Sequence, residues 1–122
     1  MNLSRIILFA HDVSLLKNFY HQHFHLQITE ETSGEWVVFK TGSAELALHK
    51  IGPGQEPVDP KNKPLTSTKL VFETTGNLHA LREKMLSANV AIGEVKSFPG
   101  YPYLFCDGND PEGNVFQLMG KA

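Results

Sequence analysis

YLFCDGNDPEGNVFQLM, residues 103–119, predicts a strand, a tight turn and a second strand. Asp110 suits the first position of a type I turn, because its carboxylate can accept a hydrogen bond from the backbone N–H two residues on. Pro111 presets φ at the second position, and Gly113 suits the fourth, where a left-handed conformation is often needed. In the strand from Val115 to Met119, Gln117 is a polar residue between apolar neighbours. Such a residue is typical of a pocket floor.

The first half of the chain predicts the element order βαβββ. The apolar segment Arg5–Ala10 predicts a buried strand, and Asp12 suits the N-cap of an amphipathic helix over residues 13–25. Three further strands are predicted at 27–31, 35–40 and 44–49, with glycine-containing turns between them.

The second half repeats this order after a connector at residues 51–66 that contains four prolines. A strand is predicted at 68–74 and a helix from Leu78 to near Asn89, followed by strands at 91–98, 101–106 and 115–119. The period of about 60 residues indicates a duplicated module. We therefore predict the α+β class, in a single domain over residues 1–122 with modules at 4–50 and 67–120.

The composition excludes several classes of protein. The 122 residues are 41% hydrophobic and 20% charged, as in an ordinary globular domain. The formal net charge of −2 and the lack of a Lys/Arg block argue against a nucleic-acid partner. The apolar run Ile6–Ala10 is too short to span a membrane, so no membrane partner is expected. The single cysteine, Cys106, fits a reducing compartment, and we expect a cytoplasmic location.

Four features, taken in order along the chain, resemble the vicinal oxygen chelate superfamily, the glyoxalase, bleomycin-resistance and ring-cleaving dioxygenase group. They are Asp12-Val13 followed by Phe19-Tyr20, the segment from Gly42 through Leu46-Ala47-Leu48-His49, the proline-rich connector, and Asp110-Pro111-Glu112-Gly113-Asn114. The resemblance covers nearly the whole chain. One departure is visible: Asp107-Gly108-Asn109 adds residues before the turn, which predicts a bulge or a longer loop.

The resemblance implies two βαβββ modules whose mixed sheets curve into a cup, often completed by a second copy, so we expect a homodimer. It constrains the reaction much less. Relatives isomerise thiohemiacetals, open aromatic rings with Fe(II) and O₂, transfer thiols to fosfomycin, or sequester drugs.

The resemblance also implies metal ligands at four strand positions, which fall here on Arg5, Ala47, Lys69 and Gln117. His49 shares the face of Ala47. A catalytic divalent metal needs about three imidazole, carboxylate or thiolate ligands. Arg has no accessible lone pair, and a protonated Lys repels a cation. We therefore expect neither metal nor cofactor, and a divalent ion (Zn, Ni, Mn or Fe) belongs to the alternative function.

The same positions predict a ligand-binding cup. Arg5 and Lys69 would present positive charge, while Gln117 and His49 would supply hydrogen bonds, which suits an anionic, partly apolar small molecule. Tyr103 is a further candidate ligand contact. The alternative for Arg5 and Lys69 is an ion pair with a nearby glutamate, Glu45 or Glu73, with the charge reaching solvent. The segment 98–102 predicts a rim loop beside the site.

Two functions remain open at this point. The first is a metal-independent small-molecule binding protein of the bleomycin-resistance type. The alternative is a diverged metal-dependent lyase, isomerase or dioxygenase of the same superfamily, with the metal held by His49, Gln117 and a residue of a second copy, or an enzyme that uses acid–base chemistry without metal. The sequence identifies no catalytic residue, so whether a reaction is catalysed stays undecided.

Overall fold

The computed structural model describes residues 1–53 and 67–122, and the chain divides into two compact units, residues 1–63 and 64–122. The described part of each unit combines a helix with a sheet, so the predicted α+β class and two-module order are confirmed. Unit 1 contains β1 (Arg5–Ala10), α1 (Val13–Phe24), β2 (Gln27–Thr32), β3 (Trp36–Lys40) and β4 (Glu45–Lys50). Unit 2 contains β5 (Lys69–Glu73), α2 (Leu78–Ser87), β6 (Ala91–Ile92), β7 (Lys96–Ser97), β8 (Tyr103–Asn109) and β9 (Val115–Lys121).

Helix α1 begins and ends where local chemistry predicts. The Asp12 carboxylate accepts a hydrogen bond from the Leu15 backbone N–H at 3.0 Å, which satisfies a donor that the first turn leaves unpaired. His25 ends the helix in the left-handed conformation at φ 55°. Leu16 and Tyr20 are fully buried, and the Tyr20 ring lies 6.3 Å from that of Phe39 on β3. The helix is therefore packed onto the sheet of unit 1.

The unit 1 sheet has the strand order β1-β4-β3-β2, with β1 and β4 parallel. In their register Arg5 lies opposite Glu45, and Phe9 lies opposite His49. Leu46 and Leu48 are buried, as predicted for the core face of β4. The other face carries the alternate positions of β1 and β4, including Arg5 and His49.

The unit 2 sheet has the order β5-β9-β8-β6, with β7 also paired to β8. Helix α2 begins at the N-cap Asn77, whose side chain accepts from the Ala80 backbone N–H at 2.9 Å. Phe116 and Leu118 of β9 are buried and form the core face of the sheet. Gly120 lies on the same face, and a Cβ added to it would lie 3.2 Å from Leu78 Cβ of α2. Gln117 lies on the opposite face of this sheet.

Gly108 makes room for the core of unit 2. It lies opposite Phe116 in the β8–β9 ladder, and a Cβ at this position would lie 2.3 Å from Phe116 Cζ and 2.8 Å from the Ala91 carbonyl oxygen. The first of these separations is shorter than any carbon–carbon contact that packing allows. The Phe116 ring can therefore occupy its place because residue 108 has no side chain.

The predicted hairpin turn is confirmed. Asp110 is 4% exposed, and its Oδ1 accepts hydrogen bonds from the backbone N–H groups of Glu112 and Asn114, both at 2.9 Å. Its Oδ2 accepts from Asn114 Nδ2 at 2.8 Å. The Gly113 N–H closes the turn on the Asp110 carbonyl at 2.9 Å, and Gly113 has φ 85°. Asp110 thus fixes the register of β9.

The bulge or longer loop predicted at residues 107–109 is wrong. These residues extend β8 in unbroken register, with Asp107 opposite Gln117 and Asn109 opposite Val115. The reason is the buried Asp110, which closes the turn directly after Asn109 by pairing its own N–H with the Asn114 carbonyl at 3.0 Å. The extra residues lengthen the hairpin instead of distorting it.

Two strand boundaries before the hairpin were also predicted wrongly. The single strand expected over 91–98 is two short strands, β6 and β7: the Gly93 N–H still donates to the Asp107 carbonyl at 2.8 Å, but the Gly93 carbonyl oxygen accepts from Arg82 Nε at 2.6 Å. The strand expected from Tyr101 begins at Tyr103, since the Tyr101 N–H is used to close a turn on the Phe98 carbonyl at 3.0 Å. The first difference comes from a side-chain contact with α2 and the second from a backbone turn, and the alternation of apolar and polar residues records neither.

Two other expectations concern the connector and the possibility of a membrane span. The connector predicted at 51–66 lies, from residue 54 onward, outside the described residues. Across residues 1–53 and 67–122, neither helix combines the length and apolarity needed to cross a membrane.

Candidate functional site

The open face of the unit 2 sheet carries a chain of three hydrogen-bonded polar side chains. Gln117 Nε2 donates to Asp107 Oδ1 at 2.8 Å, and Lys69 Nζ donates to Asp107 Oδ2 at 3.0 Å. The ladder explains this, because Asp107 of β8 lies directly opposite Gln117 of β9, and Lys69 belongs to β5, the other neighbour of β9. Both carboxylate oxygens of Asp107 are thereby occupied within unit 2.

The surroundings of Asp107 keep its carboxylate ionised. Partial burial raises the pKa of Asp107, but the hydrogen bonds from Gln117 and Lys69 and the positive charges of Lys69 and Lys96 outweigh it and hold the pKa below its ordinary value of 3.8. At neutral pH Asp107 is therefore an acceptor of hydrogen bonds and has no proton to donate.

An ionised Asp107 orients the Gln117 amide. Because the carboxylate can only accept, the amide must turn its N–H₂ group toward it. The amide oxygen, Gln117 Oε1, then points away from Asp107. Gln117 thus keeps its acceptor on the side away from Asp107, and it lines the space beside this network.

That space is an open pocket of about 350 Å³ lined by Phe98, Tyr101, Phe105 and Gln117. The Phe105 ring is in contact with both other rings: its centroid lies 5.8 Å from that of Phe98 and 6.0 Å from that of Tyr101. The two outer rings are inclined to Phe105 by 58° and 52°. The pocket therefore has three aromatic walls and one amide.

A tight turn holds the two outer rings. Phe98 and Tyr101 occupy the first and fourth positions of the turn, closed by the Tyr101 N–H on the Phe98 carbonyl. Pro99 at the second position and Gly100 at the third, with φ 80°, are the residues that a type II turn requires. The rim loop predicted at this segment is thus a tight turn with an aromatic residue at each end.

The candidate residues of unit 1 form a cluster on the face of its sheet that does not pack against α1. Arg5 Nη2 lies 3.0 Å from Glu45 Oε1, and the Arg5 guanidinium carbon lies 5.4 Å from the centre of the Trp36 ring. The His49 ring is in contact with Trp36 at 5.5 Å. Ala47, between Glu45 and His49 on β4, is completely buried and offers no surface to a ligand.

The structure therefore brings Arg5, Ala47 and His49 together on one sheet, and Lys69 and Gln117 on the other. The predicted pairing of Arg5 with Glu45 is found, whereas Lys69 pairs with Asp107 instead of a glutamate. Tyr103 is half-buried on β8 and lies opposite Lys121, two residues before Phe105 on the same face.

Sequence reasoning missed Asp107 and Phe105. The signal for both is the alternation of β8: Tyr103, Phe105 and Asp107 share a face once the strand is known to run to Asn109. Counting back from the turn at Asp110 gives the pairing of Asp107 with Gln117. The predicted bulge concealed that pairing.

Comparison with known protein families identifies the family of the chain. The family model described as Glyoxalase/Bleomycin resistance protein/Dioxygenase superfamily matches residues 2–118. The chain belongs to this superfamily. A comparison with curated protein sequences finds no match.

Solved structures of the superfamily fold match along almost the full chain. A lactoylglutathione lyase from Agrobacterium tumefaciens is 17% identical, with a TM-score of 0.73 over 98% of this chain and 92% of its own. TnmS3, an antibiotic binding protein from a Streptomyces species, is 20% identical, with a TM-score of 0.76 over 100% and 97%. FosX, a fosfomycin resistance protein from Listeria monocytogenes, is 10% identical, with a TM-score of 0.72 over 100% and 93%. At these identities the likeness establishes the fold.

The superfamily implies a divalent metal, and the side chains at the implied positions do not fit one. Arg5 and Lys69 are cations engaged with carboxylates, Ala47 has no ligand atom, and Gln117 donates its amide N–H to Asp107. Within residues 1–53 and 67–122, no three His, Cys, Asp or Glu side chains are grouped so that they could hold a metal ion. A site with one amide oxygen falls short of the roughly three ligands that a catalytic metal needs.

Proposed function

We propose that this superfamily member binds a small organic molecule in the pocket of unit 2 and does so without a catalytic metal. The observation that carries the proposal is the joining of three aromatic walls to one oriented amide. Mostly apolar surface with a few placed polar groups is the usual composition of a small-molecule site. The volume of about 350 Å³ also lies in the range of such sites.

The metal-independent part of the proposal is supported by how Lys69 and Gln117 are used. Both side chains direct their hydrogens at Asp107, so the carboxylate that could have served a metal is occupied on both oxygens. Bringing a cation to Asp107 would require breaking the ion pair with Lys69 and placing the ammonium beside that cation. The positive charges of the ammonium and the metal ion would repel each other.

Binding is favoured over acid–base catalysis by the state of Asp107. A general base works best when its pKa lies near the working pH. The hydrogen bonds and positive charges around Asp107 lower its pKa, so the carboxylate is a weak base at neutral pH. Asp107 is better suited to orienting Gln117 than to taking a proton.

The test is a thermal-shift screen of a small-molecule library on the purified chain, run with and without a chelator, together with elemental analysis. We expect stabilising ligands whose effect the chelator leaves unchanged, and no stoichiometric metal. Gln117→Ala should weaken the best ligand, and the matched control Gln27→Ala, on the exposed end of β2, should not. Stoichiometric Zn, Ni, Mn or Fe that ligand binding requires would contradict the proposal and favour a lyase, isomerase or dioxygenase.

A further inference from the structure

We propose that the ligand of the unit 2 pocket is a flat aromatic molecule with a hydrogen-bond donor, a hydroxyl or an N–H, on its edge. This inference rests on the proposed function and adds the chemical class of the ligand. Two independent features carry it: the arrangement of the three rings and the direction of the Gln117 amide.

The three rings favour a flat partner. Phe98 and Tyr101 are 54% and 61% exposed, although aromatic rings of this size are usually buried. The turn between them sets the backbone from which both side chains extend, and both rings lie beside Phe105, at centroid distances of 5.8 and 6.0 Å. The Phe98 and Tyr101 rings are inclined by 58° and 52° to the Phe105 ring, so the aromatic walls of the pocket are not parallel to the central ring. A flat aromatic ring can stack on one wall and meet another edge-on, which a puckered saturated ring cannot do.

The amide selects a donor. One N–H of the Gln117 amide donates to Asp107, so the amide's acceptor, Oε1, is turned away from that carboxylate, and Gln117 lines the pocket. A ligand acceptor placed there would face an oxygen and lose its hydrogen bond to water without replacement, which costs about 1–3 kcal/mol. A ligand donor placed there regains that bond. The pocket therefore distinguishes a hydroxyl or N–H from an ether of the same shape.

Lys69 does not supply an anion site in this account. Its ammonium group lies 3.0 Å from the Asp107 carboxylate, and the two charges offset each other. A ligand anion would have to compete with Asp107 and approach its negative charge. The anionic ligand predicted from the sequence assumed uncompensated positive charge at Arg5 and Lys69, and in the structure each of them has a carboxylate partner.

The experiment uses three probes of nearly equal size: naphthol, its methyl ether and decahydronaphthol. Binding to the isotope-labelled full chain is followed by the backbone amide signals of the pocket residues. We expect naphthol to bind with a dissociation constant about tenfold lower than that of the ether, as one regained hydrogen bond implies. We expect a similar advantage over decahydronaphthol, which has the donor and lacks the aromatic plane.

Variants assign each preference to its cause. Asp107→Asn lets the Gln117 amide turn, so the preference for naphthol over its ether should shrink while the aromatic preference remains. Phe98→Leu and Tyr101→Leu should reduce the aromatic preference and keep the donor preference. The control Leu86→Ala, at a 37% exposed position on α2, should keep both preferences. Melting curves of every variant verify that it is folded.

Equal binding of all three probes, or no shift of the pocket signals at millimolar naphthol, would overturn the inference. Tighter binding of the ether or of decahydronaphthol would overturn it as well. The proposed function fails separately: a library ligand that binds this pocket without metal but is saturated or lacks a donor preserves the function and rejects the ligand class. A chain that binds nothing until metal is added rejects both.

Discussion

Asp107 is the residue on which the electrostatics of the site depend. It accepts from Gln117 and Lys69, and these partners lower its pKa against the opposing effect of burial. A lowered pKa means that the folded state holds this proton less tightly than the unfolded chain does. Ionised Asp107 therefore contributes stability that is present above its ordinary value of 3.8 and is lost as the pH falls through the folded-state pKa.

The pH dependence of unfolding tests this role. Between about pH 6 and pH 2, the free energy of unfolding of the native chain should fall more steeply than that of Asp107→Asn, which cannot titrate at this position. Urea denaturation at several pH values measures both slopes. Parallel slopes for the two proteins would show that the partners of Asp107 do not perturb its ionisation.

Gly108 tests the packing of the same strand on its opposite face. Gly108→Ala should lower the free energy of unfolding by about 2 kcal/mol or more, because the new Cβ would overlap the Phe116 ring. Gly93→Ala is the matched control, since a Cβ there meets nothing nearer than the Asp107 carbonyl oxygen at 3.6 Å. Chemical denaturation should place the control close to the native chain. Equal losses at both positions would contradict the packing described for Phe116.

At the scale of elements, the β8–β9 hairpin is set by the buried side chain of Asp110. Its carboxylate satisfies two backbone N–H groups and the Asn114 amide across the turn. This fixes which residue of β8 faces Gln117. The position of Gln117 opposite Asp107 therefore depends on a turn whose residues do not line the pocket.

Removing that carboxylate should destabilise the hairpin. Asp110→Ala is expected to lose about 3 kcal/mol of unfolding free energy, because charge-assisted hydrogen bonds disappear and buried donors lose their acceptor. Glu94→Ala provides the comparison: its ion pair with Arg82 is at the surface, so the loss should stay below about 1 kcal/mol. Urea unfolding measures both, and a similar small loss at Asp110 would contradict its role in the turn.

The elements that the sequence predicted well are those whose ends are decided locally. Asp12 caps α1 through the third residue on, and Asp110 closes its own turn, so both are visible in short segments. The split of the strand at 91–98 depends on Arg82 reaching Gly93 from α2, a contact that no local pattern records. The carboxylate partner of Lys69 was missed because the irregularity predicted at residues 107–109 hid the register that places Asp107 beside Gln117, on the face that Lys69 reaches.

At the scale of the whole molecule, the two units repeat one topology and differ in how they neutralise its first basic residue. The orders β1-β4-β3-β2 and β5-β9-β8-β6 correspond strand by strand. Arg5 of β1 pairs with Glu45 on the adjacent β4, whereas Lys69 of β5 pairs with Asp107 on β8, one strand further away. In unit 2 the ion pair therefore spans the intervening strand β9, and Gln117 of β9 joins it by donating a hydrogen bond to Asp107. That difference gives unit 2 an oriented amide beside its aromatic pocket.

We predict that the thermal stability of the chain does not depend on divalent metal. Excess chelator should leave the midpoint of thermal unfolding unchanged, and added Zn, Ni or Mn should not raise it, because the implied ligand positions carry Arg5, Ala47, Lys69 and Gln117. Scanning calorimetry of chelator-treated and metal-supplemented protein measures this. A midpoint that rises with one metal in a saturable, stoichiometric way would contradict the prediction.

The most direct test of the central claim is to map the binding site of the best library ligand on metal-free, isotope-labelled protein by NMR. We expect the largest shift changes on Phe98, Tyr101, Phe105 and Gln117, and we expect them to be identical in the presence of chelator. Shift changes centred on the Arg5, Trp36 and His49 cluster of unit 1, or binding that appears only when metal is supplied, would contradict it.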